Sequence, residues 1–306
     1  MHSLNIAVIG SNPENRKAVA SALGKKATAQ DVTTYTTVFQ GKNVTVVEPS
    51  SYPEKPAALI MALNAADFIV LLSDESPYLG EMLVAASLLS KSHGCVIGDN
   101  DVSAYLAEAN LRYETFSSIS DAKPHVLSQE IPHQTDAPLK AWVDQSFDVK
   151  GVGAVALGWI KQGTLHVHDT LTVFPQEKQI EIRSIQENDV DVKHAQAGDR
   201  FGIRFKGLEA SELSRGNVLG PAKTFPEIEA TVSVPKYLKN APGKTLHAVI
   251  GLQSVPCTVE KLLEPGKQID CLIQFHKPVA LAHDTLTLLD LNADRLRVAG
   301  VAQSVG

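Results

Sequence analysis

Cysteine is scarce in this chain. Cys95, Cys257 and Cys271 are the three in 306 residues, too few and too scattered for a disulfide framework or a thiolate zinc site. Long apolar runs are missing too, and nothing approaches the ~18 residues that would suggest a membrane helix. The N-terminus runs straight into a strand-like Leu4–Ile9 without a basic segment and apolar core, so no secretory signal is expected. A Gly-x-Ser-x-Gly elbow is absent, which leaves serine-hydrolase chemistry without support. His166 and His168 alternate with no cysteine or carboxylate cluster beside them, so zinc is not expected. An excess of positive charge is lacking as well. The net charge is −6, divided as −5 over residues 1–135 and −1 over residues 136–306. The total therefore does not advertise a nucleic-acid binder, although a local basic face is compatible with it. Together these absences point to a cytoplasmic protein with no membrane or DNA partner.

What is present falls into two textures. Residues 1–130 alternate short apolar runs with Ala-rich segments of helical period. Strands are expected at Leu4–Ile9, Asn43–Val47, Phe68–Leu72, Gly94–Ile97 and Leu111–Thr115, and helices at Asn15–Leu23, Lys55–Leu63, Leu79–Ser90 and Ser103–Ala109. That alternation predicts a parallel α/β sheet. Between the first two strands lies a short Thr-rich segment that reads as irregular. Ala122–Pro138, with three prolines and two histidines, reads as a linker. From about residue 137 short alternating strands are punctuated by glycine and polar turns, the pattern of small β-barrels. A second β run follows Gly220-Pro221. The expected units are 1–130, 137–221 and 222–306.

Several motifs in the β region are specific. A strand enters the Gly151-Val152-Gly153 turn and a second leaves through Ala154–Gly158. Arg183-Ser184-Ile185-Gln186, Ala197-Gly198-Asp199-Arg200 and Arg215-Gly216-Asn217-Val218-Leu219 follow in order. Farther on come Leu263-Glu264-Pro265-Gly266 and Arg297-Val298-Ala299-Gly300. The glycines suit tight turns and the flanking apolar residues suit barrel cores. In this order and spacing the chain resembles SelB-type translation elongation factors of the elongation factor Tu class, most nearly the archaeal branch. The resemblance implies a reduced P-loop GTPase-like domain followed by two β-barrels. It also implies GTP as a cofactor, and aminoacyl-tRNA or the ribosome as partners.

Measured against that family, the front domain is altered at each catalytic position. A P-loop needs Gly-x-x-x-x-Gly-Lys-Ser/Thr, so that backbone amides surround the phosphates, the lysine neutralises them and the hydroxyl holds Mg²⁺. The corresponding stretch is Gly10-Ser11-Asn12-Pro13-Glu14-Asn15-Arg16-Lys17. Gly10 is kept, Asn15 stands for the second glycine, Arg16 for the lysine and Lys17 for the hydroxyl residue. Glu48 can replace the Asp of Asp-x-x-Gly-His, but Ser51 and Tyr52 replace the glycine and the water-positioning histidine. Of the base-reading Asn-Lys-x-Asp only Asp101 survives. Gly10, Asn15, Arg16, Lys17 and Asp101 are thus the candidate GTP contacts. The lost hydroxyl argues against Mg²⁺, and the lost water-positioning group against hydrolysis by the chain alone. Arg200, Arg204 and Lys206 share one side of a barrel strand and are the candidate RNA contacts, because in the family this barrel meets the aminoacylated end of tRNA. An active GTPase completed by the ribosome and a non-catalytic protein scaffold remain as alternative readings.

Overall fold

The structure, a computed structural model, describes residues 3–305. The front unit holds β1 (Ser3–Ile9), α1 (Pro13–Leu23), β2 (Lys25–Thr28), β3 (Thr33–Phe39), β4 (Lys42–Glu48), α2 (Pro56–Ala65), β5 (Phe68–Leu72), α3 (Leu79–Leu88), β6 (Gly94–Ile97), α4 (Ser103–Glu108), β7 (Glu114–Phe116) and α5 (Ile119–Ser128). The seven strands form one sheet in the order β2-β3-β4-β1-β5-β6-β7. β1 lies at the centre, parallel to β4 and to β5, and is buried along its whole length. Side chains alternate between the two faces of a strand. Accordingly Leu4, Ile6 and Val8 pack with Val19 and Leu23 of α1 and Val126 of α5, while Ala7 and Ile9 pack with Leu59 of α2 and Met82 of α3.

Two sequence expectations change here. The Thr-rich segment is not irregular: it forms β2 and β3, which run antiparallel on the edge beside β4. Its β-branched residues suit a pleated edge, and Thr33, Thr34 and Tyr35 are buried there. The start of the expected linker is also ordered, since Ile119–Ser128 is helical with Pro124 inside it. Ser118 caps that helix, and Ala122, Val126 and Leu127 bury against the sheet, which outweighs the amide that proline lacks.

In the middle unit Thr170–Phe174 pairs on one side with Lys178–Glu187 and on the other with Val218–Leu219. This closes a small barrel that includes Lys140–Val149, Gly153–Gln162 and Arg200–Lys206. Ile160, Ile182, Phe201 and Phe205 fill it. The last unit is a closed six-stranded barrel from Lys223–Ser233 to Val298–Val305. One apolar cluster joins all three units, with Leu59 and Leu63 from the front, Trp142 and Trp159 from the middle, and Val249, Leu289 and Val298 from the last. The approach is close. Gly251 has φ +55°, and a Cβ on it would stand 2.7 Å from the Trp142 ring.

Candidate nucleotide cleft and the network beneath it

The cleft lies where ligands of open α/β sheets gather, beyond the carboxyl ends of the parallel strands. Its volume is about 620 Å³, and it is lined by the turns after β1, β5 and β6. A phosphate site in this place depends on free amides at the start of α1 and on a nearby cation. Here the amides are already engaged. Asn12 caps the helix, its Oδ1 accepting from the amides of Glu14 at 2.9 Å and Asn15 at 3.1 Å. Pro13 has no amide to give, and the Arg16 amide bonds to the Asn12 carbonyl at 3.1 Å.

An acidic side chain occupies the rest of the loop. Asp74 accepts from the Asn12 amide at 3.2 Å through Oδ2 and from the Asn15 side-chain amide at 2.9 Å through Oδ1. Gly10 permits this approach, because a Cβ there would lie 3.1 Å from Asp74 Oδ2 and 2.9 Å from Leu72 Cβ. Asp74, Glu75 and Asp99 all line the cleft, and among the described residues no lysine or arginine does. The electrostatics are thus reversed relative to a phosphate site.

Arg16 has left the cleft altogether. Its side chain is fully buried, with every nitrogen bonded inside the protein. Nε meets Glu48 Oε1 at 3.3 Å and Nη1 the Gly10 carbonyl at 2.7 Å, while Nη2 bonds the carbonyls of Pro49 at 3.2 Å and Tyr52 at 2.7 Å. The expectation that Arg16 attracts an anion is therefore corrected: arginine's rigid fork can bind several carbonyls at once, and here it does so inward. Lys17 points outward, exposed, with a loose 3.9 Å pairing to Glu14. Asp101 also lies outside the cleft lining. Its Oδ1 accepts from the Ser103 amide at 2.9 Å, and the Ser103 hydrogen bonds hold its carboxyl below the ordinary range. The structure thus keeps Gly10 and Asn15 together at the loop but does not bring Arg16, Lys17 or Asp101 to a common ligand.

Beneath the cleft the network continues to the last barrel. Glu48 also accepts from Ser50 Oγ at 2.9 Å. Tyr52 is fully buried, and its hydroxyl donates to Glu81 Oε1 at 3.0 Å. Burial first, and the charge of Glu81 next, push this phenol well above its usual range. The buried Glu81 carboxylate takes the backbone amide of Arg297 at 2.7 Å and its Nε at 3.0 Å. The Arg297 guanidinium also lies 5.6 Å from the Tyr52 ring centroid and 5.0 Å from that of Tyr78. Polar contacts therefore run from Gly10 through Arg16 to the Tyr52 carbonyl, and from the Tyr52 hydroxyl through Glu81 to Arg297, the two joined by the Tyr52 side chain. Sequence reasoning missed Asp74, Glu81 and Arg297 as parts of one site. Arg297 was visible only as the opening residue of a barrel motif.

The three RNA candidates separate. The Arg200 side chain is mostly covered: its guanidinium sits 4.5 Å from the Trp159 ring centroid, and Nη2 pairs with Asp144 at 3.2 Å. Its Nη1 is buried without a protein partner among the described residues. Arg204 is exposed, and Lys206 is exposed and paired with Glu181 at 3.1 Å. Strand register puts Arg204 in one cross-strand row with Val155 and the exposed Phe147.

The comparisons with known proteins agree with this architecture. The family described as elongation factor Tu domain 2 matches residues 153–220. An uncharacterized protein of Methanocaldococcus jannaschii is 30% identical over 99% of this chain and 100% of its own length. The selenocysteine-specific elongation factor of the same organism is 30% identical over 58% of this chain. The chain spans 43% of that longer relative. Among solved structures, SelB of Methanococcus maripaludis in complex with the GTP analogue GppNHp superposes with a TM-score of 0.83. That match is at 18% identity and covers 100% of this chain and 79% of the other, a likeness of fold.

Proposed function

We propose, on the premise that this chain belongs to the SelB-like family of the elongation factor Tu class, that it is a translation-factor body working without a nucleotide switch. The observation that carries this reading is the inward turn of Arg16. The residue in place of the phosphate-binding lysine binds Glu48 and three backbone carbonyls instead, while Asp74 takes the Asn12 amide and Asn12 takes those of Glu14 and Asn15. Phosphoryl transfer relies on positioning and charge stabilisation by parts that act together. Here the cation, the metal-binding hydroxyl and the water-positioning side chain are all replaced. GTP, if admitted, would meet Asp74, Glu75 and Asp99 before any positive charge.

In this reading the network from Arg16 to Arg297 takes over what a bound nucleotide would otherwise control. It holds the front unit against the last barrel in one arrangement. The middle barrel then binds aminoacyl-tRNA or the ribosome constitutively. Arg204 and Lys206 supply exposed charge for phosphates, and Phe147 in the Arg204 row offers a stacking face. Arg200 acts from below, fixing Asp144 and Trp159, rather than as a surface phosphate contact.

The test is calorimetric titration of the purified chain with GTP and GDP, with and without Mg²⁺. No heat of binding at millimolar nucleotide is expected. Micromolar affinity that depends on Mg²⁺ would overturn the reading and favour a GTPase completed by the ribosome. Filter binding with aminoacylated and deacylated tRNA decides the partner. If neither form binds, the barrels serve protein contacts instead.

A further inference from the structure

A second cavity, of about 230 Å³, opens where all three units meet, on a different set of residues from the nucleotide cleft. Three lysines line it: Lys91 from the front unit, and Lys140 and Lys161 from the middle one. Asp284 of the last barrel is the carboxylate at its wall, and it is already engaged by Lys140 at 2.7 Å and by the Ala282 amide at 2.8 Å. Lys91 and Lys161 form no ion pair among the described residues. Each donates to one carbonyl at the end of α2, Lys91 to Ala66 at 2.9 Å and Lys161 to Ala65 at 3.0 Å. An ammonium has three donors, so both keep hydrogen-bonding capacity beyond these contacts.

The end of a helix attracts cations, and that would account for one lysine as a cap. It does not account for two that share one half-open cavity with no salt bridge of their own among the described residues, since charge withdrawn from water is costly unless paired. Asp67, the other acid whose charge reaches Lys91 and Lys161, has its Oδ2 taken by Asn5 and by His133. Lys161 also lies 5.4 Å from the Trp142 ring centroid, which fixes where its charge points. We propose that this cavity is an anion site, taking a phosphate-like dianion held by the ammonium groups of Lys91 and Lys161. Burial first and the charge of Lys161 second draw Lys91 down to about 8, against the opposing pull of Asp67, as expected where two ammonium groups are crowded together. An anion held by both ammonium groups would bridge the front and middle units.

The experiment adds inorganic phosphate to the full chain at fixed ionic strength, with chloride as the control. It follows the thermal midpoint and the rate at which a small acylating reagent modifies each lysine, read by mass spectrometry. Phosphate is expected to raise the midpoint by about 5 °C at a hundredfold excess over Kd. It should also slow acylation of Lys91 and Lys161 selectively. Lys91→Met and Lys161→Met should each weaken phosphate binding at least ~10-fold, the loss expected for a charge-assisted contact. No saturable effect beyond chloride, or unchanged affinity in both variants, overturns the proposal. Should the variants fail to fold, protection of the two lysines in the unmodified chain decides it, and no protection counts against the site. Adenosine 5′-monophosphate separates the sources. Equal protection by it means the terminal phosphate of a larger molecule can enter, and protection by inorganic phosphate alone means an enclosed free ion.

Discussion

In the front unit a loop that resembles a phosphate cradle is closed by its own side chains, whereas the middle barrel keeps exposed cations along the strand Arg200–Lys206. Both regions retain their backbone shape. In the barrel the shape follows from alternating apolar residues and glycine turns, which many sequences satisfy. In the cleft, function depends on a few polar groups pointing outward. With arginine in place of the family's lysine and tyrosine in place of its histidine the sheet is intact, and the Arg16 and Tyr52 side chains bond inward, while Lys17 faces solvent. Fold and site are therefore separable here, as physical reasoning expects.

The sharpest way to break this contrast is Arg16→Met. If Arg16 is now structural, its loss strands the buried Glu48 and frees three carbonyls. Global stability should fall by about 3–5 kcal/mol, the range for breaking a buried pair, as measured by urea unfolding. A loss near zero, with a gain in nucleotide affinity, would return Arg16 to the cleft.

A smaller loss of stability should come with acid. Burial alone would raise Asp67, but hydrogen bonds from His133 and Asn5 and the charge of Lys161 pull it down to about 2. A carboxylate depressed in the folded state contributes stability above its unfolded value near 4, and loses it as pH falls toward 2. Asp67→Asn should therefore remove about 2 kcal/mol at pH 7 and flatten the stability profile between pH 4 and 2. A parallel shift at every pH would mean that the carboxylate charge is not responsible.

Tyr52→Phe tests the path to the last barrel with a smaller change. It deletes one hydrogen bond to Glu81, which keeps its contacts to Arg297, so about 1–2 kcal/mol is expected. A double-mutant cycle with Arg297→Met should show coupling above about 0.5 kcal/mol. Additivity would mean that the front unit and the last barrel are not linked through Tyr52.

How much of this was legible in the sequence follows from the same separation. The barrels were, since Gly198-Asp199 and Gly216-Asn217 are local turn chemistry. The departures of the loop from a phosphate-binding pattern were also legible, residue by residue. The inward turn of Arg16 was not, because nothing local to Arg16 shows that Glu48, Pro49 and Tyr52, at and just beyond the end of β4, would face it. Lys91 and Lys161 were invisible as a pair for the same reason, being 70 positions apart and joined only by the meeting of two units. Pro124 misled in the other direction, since a proline-rich stretch reads as linker until the burial of Val126 and Leu127 is known.

The smallest structural effect bears most directly on function. Arg204→Ala removes an exposed side chain whose partners are solvent and strand neighbours, so stability should stay within about 0.5 kcal/mol. If the middle barrel binds RNA, the variant should still weaken tRNA affinity. The slope of log K against log salt should then flatten by about 0.7–0.9, because one phosphate is no longer neutralised. Arg200→Ala makes the opposite pairing. It opens a space beside Trp159 and leaves Asp144 to Arg215, so it should cost stability first and affect RNA only through the fold. If both variants bind tRNA as tightly as the parent, with unchanged salt slopes, the exposed end of this strand is not the RNA surface. The barrel would then have kept its shape without its charge having a nucleic-acid role.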